Sequence, residues 1–533
     1  MELERRTLTE YLQDTVRRSP GKTAVIFHGK AFTWSEIDRS SSCFAVRLLN
    51  SGIKRGDHLG IWCANSYNWI VAFLAAVKLD CLPVAVNTSF KGSEVRGIVR
   101  YAELKALLYG DGHKDVKFLP IVSALQEEFP DLLAVPVGGS VGDLTEEKFT
   151  GTEKQTELPA PEAGPDDVLA MLLTSGTTGQ PKGVMLSHYN LTNTARATIE
   201  AMGWTAEDRM FIGVSLFHCF GLTSSLISSI ILGCTMCPVT SFRTRPTLEC
   251  IEENRCTILN GVPAMFLAML RNPHFKDYDL SSLRCGIIAG SGISPSEYMD
   301  VCRGFPTLKL VPSYGQTETS PAVSFSPLTD PDEKNARNAG KILPNMETRI
   351  VSLDDRRVLP CGGEGELEVR GYNVMQGYYH MPELTKETID EDGWLKTGDI
   401  ACFDEDGYLY IKGRCKDLII RGGENISPQE IENVMLEQCP WLSDVCVVSI
   451  PAEVIQERIA ACVILKEGEN LQENEIRLRL KKELADYKVP DAYIPFDRFP
   501  VTASGKVKRQ ELAQKLYAGP DGRILKKEEQ ADE

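Results

Sequence analysis

The loop with the clearest chemical potential follows an apolar strand predicted over residues 168–173. The ten residues from Thr174 to Gly183 include three glycines and four hydroxyl side chains. Such a turn can bend backbone amides and hydroxyls around phosphate oxygens, and Lys182 adds one fixed positive charge. The spacing is not that of a Walker A loop. The predicted phosphate contacts are Thr174, Ser175, Gly176, Thr177, Thr178, Gly179 and Lys182.

Further polar side chains stand in turns far along the chain. Thr317 and Glu318 follow the glycine-containing turn after Tyr314, Asp399 ends a Thr-Gly-Asp turn, and Lys506 lies in Thr-Ala-Ser-Gly-Lys. A hydroxyl beside a carboxylate suits a phosphate and its Mg²⁺, because this hard cation takes oxygen ligands and keeps several waters. A carboxylate such as Asp399 can accept hydrogen bonds from two ribose hydroxyls. A lysine can offset the repulsion between two anions that must meet.

The ordered set of motifs resembles the adenylate-forming superfamily. This superfamily includes acyl-CoA synthetases, luciferase-type enzymes and the adenylation domains of peptide synthetases, and the chain looks most like an acyl-CoA synthetase for fatty or aromatic acids. The matching segments cover nearly the whole chain in the family's order. They are residues 174–183 (TSGTTGQPKG), 314–318 (YGQTE), 397–399 (TGD), 413–417 (GRCKD), 422–428 (GGENISP) and 502–506 (TASGK), followed by Lys508 and Arg509.

The resemblance implies a nucleotide site built from distant parts of the chain. Its members outside the phosphate loop would be Gly290, Ser291, Gly292, Ser313, Tyr314, Gly315, Gln316, Asp399, Ile411, Arg414 and Lys416. Tyr314 would stack on adenine, Asp399 would bind the ribose, and Arg414 would reach ribose or phosphate. Glu318 would hold Mg²⁺, with Thr317 at the phosphate. The chain has Ser-Gly at 291–292 where the family has a Gly-Gly-Ala-type segment. At these positions the resemblance therefore implies a backbone contact with adenine and no particular side-chain contact.

By the same resemblance the reaction has two halves and makes the chain an acid–thiol ligase. A carboxylate, already ionised at neutral pH, attacks the α-phosphate of ATP, and coenzyme A then displaces AMP from the acyl-adenylate. Lys506 would bridge carboxylate and α-phosphate in the first half. A small domain would then rotate about a hinge near Lys416. Gly422 and Gly423 would line the thiol tunnel, where missing side chains leave room for pantetheine.

The acid is expected to have a neutral, apolar tail. His218, inside the segment Phe-His-Cys-Phe-Gly, resembles the family's aromatic-His gate and would contact the tail or the carboxylate. The other pocket segments by family position, residues 261–264, 290–292, 311–313 and 319–322, contain no Lys, Arg, Asp or Glu. A buried charge on the substrate would need a partner of opposite sign. Medium-chain aliphatic, alicyclic and aromatic acids all satisfy this condition.

Other functions stay open beside the coenzyme A ligase. The first is a stand-alone adenylation enzyme that loads a separate carrier protein, since the chain has no carrier module of its own. The second is a luciferase-like oxygenase, for which the sequence offers no distinct oxygen-handling feature and no Ser-Lys-Leu ending. The third is a non-catalytic nucleotide-binding protein. Retention of all the charged motif residues, Lys182, Glu318, Asp399, Arg414 and Lys506, argues against the third.

Alternating helix and strand patterns must position these groups. Leu8–Arg18 and Tyr67–Lys78 are predicted helices, Thr23–Phe27 is a predicted strand, and Ser35 is predicted to cap the next helix. Repeated β-then-α units predict an α/β fold with parallel sheets covered by helices. Strict alternation after Arg349 predicts antiparallel strands, which the resemblance places in a distorted β-barrel subdomain. The predicted domains are residues 1–415, which bind AMP, and residues 416–533, a small mobile α+β unit.

Composition excludes several classes of partner. Lys and Arg total 58 against 74 for Asp and Glu, and a net charge of −16 disfavours binding to nucleic acid or anionic membrane. The 16 scattered cysteines predict free thiols in a reducing cytoplasm. The uncharged stretch 213–242 is interrupted by His218, Pro238 and glycines, which predicts a buried helix with flanking strand and loop, not an integral membrane segment. A homodimer is left open.

Overall fold

Helices and strands alternate through most of the chain, as predicted. The computed structural model describes residues 1–114, 116–138, 157–175, 181–421, 424–452, 456–501, 507–519 and 523–526. The α-helices within these ranges are Leu8–Arg18, Trp34–Asn50, Tyr67–Lys78, Gly92–Tyr101, Phe118–Glu128, His188–Met202, Ser228–Leu232, Thr244–Glu253, Pro263–Leu270, Pro295–Gly304, Asp332–Asn335, Pro382–Thr388, Pro428–Gln438, Glu473–Glu483 and Arg509–Gln514. The fold is therefore mixed α/β.

A nine-stranded sheet has a parallel centre. Its strands in spatial order are Lys341–Ile342, Ser324–Phe325, Lys309–Tyr314, Cys285–Ile288, Ile258–Leu259, Arg209–Ile212, Thr235–Pro238, Thr23–Phe27 and Lys30–Thr33. The strands Cys285–Ile288 and Lys309–Tyr314 are parallel neighbours. Their carboxyl ends therefore meet at one edge of the sheet, which is where parallel sheets bind ligands. The predicted adenine-binding segments lie at these ends, because residues 290–292 follow the first strand, and Ser313 and Tyr314 end the second.

A seven-stranded sheet contains the two strands that flank the predicted phosphate loop. Its strands in spatial order are Gly377–Tyr378, Pro181–Ser187, Val168–Ser175, Leu82–Ala85, His58–Trp62, Ala106–Tyr109 and Leu133–Pro136. The strands on either side of the loop pair antiparallel, with Lys182 opposite Thr174. The edge strand Gly377–Tyr378 pairs with the strand that leaves the loop. A short hairpin, Gly112–His113 with Val116–Lys117, lies outside this sheet.

The alternating segments after residue 345 form a four-stranded antiparallel sheet. Its strands in order are Met346–Val351, Gly365–Gly371, Leu395–Phe403 and Leu409–Arg414. This sheet is the region that the resemblance places in a distorted barrel. In its register Asp399 lies directly opposite Arg414. Facing residues of an antiparallel pair have neighbouring side chains, so the sheet brings these two predicted site residues together.

A smaller sheet follows the short 3₁₀ helix Cys415–Asp417. Its strands are Glu424–Ile426, Ile419–Arg421, Gln456–Leu465, Leu442–Ala452 and Ala492–Pro495. Pro428–Gln438 and Glu473–Glu483 pack on it and share a separate apolar core. The hairpin Leu516–Ala518 with Ile524–Lys526 completes the described part. These elements form the predicted α+β unit.

Three predicted elements have the bounds that the structure shows, whereas the strand predicted over 168–173 extends to Ser175 and one predicted cap is wrong. Leu8–Arg18, Thr23–Phe27 and Tyr67–Lys78 have the predicted bounds. The helix for which Ser35 was the predicted cap is capped instead by Thr33, whose hydroxyl accepts a hydrogen bond from the Glu36 amide. The Glu36 carboxylate returns a hydrogen bond by accepting from the Thr33 amide, at 2.7 Å. This reciprocal capping box explains why Thr33 is the cap.

The apolar stretch near residue 230 is buried, as predicted. It forms a π-helical segment, Phe220–Ile227, which continues into Ser228–Leu232 and leads to the strand Thr235–Pro238. Within the described residues, no helix has the length and apolar character needed to cross a membrane. All 16 cysteines are described and carry free thiols.

Candidate active site

A cleft of about 1650 Å³ opens at the carboxyl ends of the parallel strands of the nine-stranded sheet. Ten of the predicted nucleotide-binding residues line it, although they come from four separate segments of the chain. They are Gly290, Ser291, Gly292, Ser313, Tyr314, Gly315, Asp399, Ile411, Arg414 and Lys416. A side chain at Gly315 would place its Cβ 1.7 Å from the Pro321 carbonyl oxygen, so only glycine fits there.

One wall of the cleft holds a hydrogen-bonded cluster of Tyr314, Asp399 and Arg414. The Tyr314 hydroxyl donates to Oδ2 of Asp399 at 2.6 Å, and Nε of Arg414 lies 3.0 Å from Oδ1. The Asp399 side chain is 6% exposed, whereas Arg414 is 45% exposed. Burial and the neighbouring carboxylate raise the pKa of the Tyr314 hydroxyl well above its ordinary value. The phenol therefore remains protonated at neutral pH and can keep donating to Asp399.

A second cluster joins the predicted metal ligand to the phosphate loop. The Tyr378 hydroxyl donates to Oε1 of Glu318 at 2.8 Å, and Nζ of Lys182 lies 5.0 Å from the centre of the Tyr378 ring. Burial, followed by the charge of Glu318, raises the pKa of Tyr378. Tyr378 lies in none of the sequence motifs and was not among the predicted site residues. Only its place on the edge strand beside the phosphate-loop strand reveals the contact.

The remaining described site residues lie beside these clusters but do not line the cleft. Oγ1 of Thr317 accepts a hydrogen bond from the Cys219 thiol at 3.7 Å, so the segment containing His218 is adjacent to the turn containing Glu318. The His218 ring is half-buried, with its centre 4.6 Å from that of Phe217. Gln316 is turned toward the strand that contains Asp399, where its Nε2 donates to the Thr397 carbonyl oxygen at 3.3 Å.

Several predicted site residues lie outside the described residues. They are Gly176, Thr177, Thr178, Gly179, Gly422, Gly423 and Lys506, and the side chain of Ser175 belongs with them. The chain next to Lys506 is described, and Val507, Lys508 and Arg509 line the cleft. The roles assigned to all seven, and to the Ser175 side chain, remain predictions from the motifs.

The donor atoms at Glu318 fit Mg²⁺. A half-buried carboxylate and the adjacent Thr317 hydroxyl offer oxygen ligands only. No group of three or more His, Cys, Asp or Glu side chains suited to a metal occurs among the described residues. A single carboxylate is enough for Mg²⁺, because this ion usually keeps several waters and binds phosphate oxygens.

Comparison with known proteins gives matches along nearly the whole chain. Residues 12–379 match the family described as AMP-binding enzyme, and residues 430–506 match the AMP-binding enzyme C-terminal domain. YngI of Bacillus subtilis (strain 168), named after the acyl-CoA synthetases, is 36% identical over 96% of this chain and 98% of its own length. The mitochondrial medium-chain acyl-CoA ligase of Danio rerio is 34% identical over 96% of this chain and 89% of its own length.

Solved structures give the same result. ATP-bound MatB from Rhodopseudomonas palustris superposes with a TM-score of 0.86 at 26% identity, covering 95% of this chain and 98% of that structure. The o-succinylbenzoate CoA synthetase of Bacillus subtilis, solved with its acyl-adenylate, has a TM-score of 0.83 at 27% identity, covering 96% and 98%. These matches confirm the resemblance, the fold class and the class of enzyme predicted from the motifs.

Proposed function

The chain belongs to the AMP-binding enzyme family, and from this premise we propose that it is an ATP-dependent, AMP-forming acyl-CoA synthetase for a medium-chain carboxylic acid. The observation that carries the proposal is the cleft in which Tyr314, Asp399 and Arg414 meet the glycine segment 290–292. It offers an aromatic face, a buried carboxylate and close backbone approach, which are the contacts that an adenosine needs.

In the first half-reaction the residues of this chain position two anions. Lys182 and the Thr174 hydroxyl would hold the outer phosphates, and Glu318 with Thr317 would hold Mg²⁺, which neutralises charge on the leaving pyrophosphate. Lys506 would bridge the substrate carboxylate and the α-phosphate. No general base is needed, so catalysis comes from positioning and charge stabilisation. The new acyl–phosphate bond replaces the bond to pyrophosphate.

In the second half-reaction a thiol would replace AMP. We propose that residues 1–415 and 416–533 form two domains joined at Lys416, which lies in the 3₁₀ helix between the four-stranded sheet and the small sheet. A rotation there would withdraw Lys506 and bring Gly422 and Gly423 to the thiol's path. Separating the steps in this way limits hydrolysis of the reactive anhydride.

The proposed acid has an uncharged tail of medium length. The pocket segments 261–264, 290–292, 311–313 and 319–322 contain no Lys, Arg, Asp or Glu, so a second carboxylate or an ammonium group would be buried there without a partner of opposite charge. A medium-chain ligase is among the relatives that match almost the full chain. A ligase for an aromatic acid is among the structural neighbours. Sequence similarity is greater for the first, which favours an aliphatic chain.

Pyrophosphate release tests the proposal. The purified chain is incubated with MgATP and straight-chain acids from C2 to C16, benzoate-type acids or amino acids, with and without coenzyme A. We expect continuous turnover only with coenzyme A, and fastest with acids of about C6 to C12. Fastest turnover with benzoates would move the proposal to aromatic acids. No release with any acid would overturn it.

The main alternative is an adenylation enzyme that loads a carrier protein. It predicts a single burst of about one pyrophosphate per enzyme, unaffected by coenzyme A, because the acyl-adenylate would stay in the site. The same assay therefore separates the two functions. Adding a phosphopantetheinylated carrier protein would restore turnover only in the second case.

A further inference from the structure

We propose that Tyr378 is a positioning residue that aligns the two charges of the phosphate site, Glu318 through its hydroxyl and Lys182 through its ring. This inference rests on the proposed function, since it assigns those two charges to the phosphates and their cation. It concerns a side chain that none of the motifs contains. The contacts are the 2.8 Å hydrogen bond to Glu318 and the 5.0 Å approach of Lys182 Nζ to the ring centre.

The backbone of Tyr378 is fixed independently of its hydroxyl. Tyr378 pairs with Val184 at the edge of the seven-stranded sheet, and its amide donates to Oγ1 of Thr385 at 2.9 Å. Thr385 belongs to the helix Pro382–Thr388, and its own hydroxyl donates to the Met381 carbonyl oxygen at 2.9 Å. The Tyr378 main chain is therefore held from two sides, and neither contact is lost when only the hydroxyl is removed.

The hydroxyl acts on Glu318. It occupies Oε1 and leaves Oε2 for another ligand, and no second hydrogen bond to this carboxylate is found in the described part of the chain. The Glu318 backbone is held separately, because its carbonyl oxygen accepts from the Met375 amide at 2.9 Å. Residues 375–378 thus hold both the main chain and the side chain of Glu318. One carboxylate oxygen is directed by the protein, and the other is available to a cation.

The ring acts on Lys182. Val184 lies two residues after Lys182 on the same face of the strand and opposite Tyr378, so Lys182 and Tyr378 are diagonal neighbours across the strands. An ammonium near an aromatic face is attracted by the ring. Among the described residues, Lys182 makes no ion pair with Glu318. The ring therefore holds the lysine near the carboxylate without neutralising either charge.

The two functions of Tyr378 can be separated by substitution. Y378F removes the hydroxyl and keeps the ring, so it should disturb Glu318 alone. Y378L removes both and should also release Lys182. The matched control is Y379F, because the Tyr379 hydroxyl donates to the exposed carboxylate of Glu103 at 2.8 Å and does not reach Glu318.

Binding of Mn²⁺, followed by electron paramagnetic resonance in the presence of a non-hydrolysable ATP analogue, tests the hydroxyl. Loss of a hydrogen bond to a charged carboxylate should weaken Mn²⁺ binding by about tenfold in Y378F. The melting temperature and the affinity for the metal-free analogue should equal those of the wild type. Y378L should in addition weaken binding of the metal-free analogue several-fold, and Y379F should change nothing.

The design separates failure of this inference from failure of the proposed function. Equal Mn²⁺ affinity in wild type and Y378F would overturn the positioning role, whatever the enzyme does with acids. A loss of Mn²⁺ binding matched by an equal loss in Y379F, or by a lowered melting temperature, would show a general structural effect and would also overturn it. Normal Mn²⁺ and analogue binding with no pyrophosphate release from any acid would instead reject only the synthetase. If the wild type bound no Mn²⁺ in the presence of the analogue, the positioning role of Tyr378 and the proposed synthetase function would both be rejected.

Discussion

The candidate active site contains two tyrosine–carboxylate pairs with the same hydrogen bond and different cations. Tyr314 donates to Asp399 at 2.6 Å, and Tyr378 donates to Glu318 at 2.8 Å. Arg414 contacts the carboxylate of Asp399 directly, at 3.0 Å. In the second pair Lys182 lies over the tyrosine ring, 5.0 Å from its centre, and makes no ion pair with Glu318 in the described residues.

This difference suits the two carboxylates to different ligands. The charge of Asp399 is already balanced by a guanidinium, so the group acts mainly as a hydrogen-bond acceptor, which suits neutral ribose hydroxyls. Among the described residues no cation contacts the carboxylate of Glu318, which suits it to a divalent cation. A positive side chain beside the carboxylate favours neutral hydrogen-bond donors as ligands. A positive side chain over the tyrosine ring leaves the carboxylate available to a cation. The comparison therefore predicts different costs for the same substitution at the two sites.

Glu318→Gln should give the larger loss. The amide keeps an oxygen that can accept from Tyr378 but removes the charge that a cation needs. We expect kcat for pyrophosphate release to fall by about 100-fold, comparable to removing one electrostatic contact to a transition state. Raising the Mg²⁺ concentration should restore part of the rate. A decrease of less than about threefold would show that Glu318 does not use its charge and would break the comparison.

Asp399→Asn should cost less and act on a different parameter. The oxygen of the asparagine amide can still accept a hydrogen bond. Its NH₂ group cannot, so one of the two acceptor atoms that Asp399 offers to Tyr314 and Arg414 is lost. We expect KM for ATP to rise by about tenfold, the cost of one charge-assisted hydrogen bond, with kcat changed by less than about threefold. Steady-state kinetics at saturating acid and coenzyme A give both values. A loss equal to that of E318Q, and in kcat, would contradict the assigned difference.

Tyr314→Phe should have a smaller effect than either neutralised carboxylate. The ring that we assign to adenine stacking is kept, and only the hydrogen bond to Asp399 is lost. One such bond contributes about 1 kcal/mol, so KM for ATP should rise about three- to fivefold. Y314A tests the ring and should cost more. Equal kinetics for Y314F and Y314A would show that the ring contributes nothing to binding.

That the residues assigned to adenine and ribose would share one cleft could be predicted from the sequence, because their motifs lie at strand ends. Gly290 follows the strand Cys285–Ile288, and Tyr314 is the last residue of its parallel neighbour. Asp399 faces Arg414 in an antiparallel register. The helix cap at Thr33 was also available from the sequence, since Glu36 stands three residues after it. Ser35 directly precedes Glu36, so it cannot form a capping box with that residue.

The phosphate half could be predicted only in part. Tyr378 contacts Glu318 and Lys182, which are 60 and 196 residues away in the chain. No local pattern marks it, because the contact depends on an edge strand joining the phosphate-loop hairpin. Long-range pairing of this kind is fixed by the packed fold and not by propensity. The contacts of Tyr378 are therefore visible only in the three-dimensional structure.

Asp444, another carboxylate that lines the cleft, extends the comparison, because within the described residues no tyrosine hydroxyl and no cation contacts it. Among the described residues, Asp444 accepts one hydrogen bond, from the Val445 amide at 2.8 Å. Burial raises its pKa to about 6, against the lowering effect of that amide. The negative charges of Glu297 and Glu432 raise the pKa further, and Arg271 lowers it.

Asp444→Asn should therefore stabilise the protein slightly, and only at higher pH. The folded pKa lies above that of an unfolded aspartate, about 3.9, so the folded state binds the proton more tightly. Wild-type stability should decrease as pH rises from about 4 to about 6, and the penalty should stay above that range. D444N lacks the charge, so its melting temperature should exceed that of wild type at pH 7.5 and equal it near pH 4.

The control D486N alters a side chain that is 86% exposed and should show no such crossover. A D444N protein no more stable than wild type at pH 7.5 would mean that Asp444 has a cation partner in solution, which would place it with Asp399 instead of apart from both pairs.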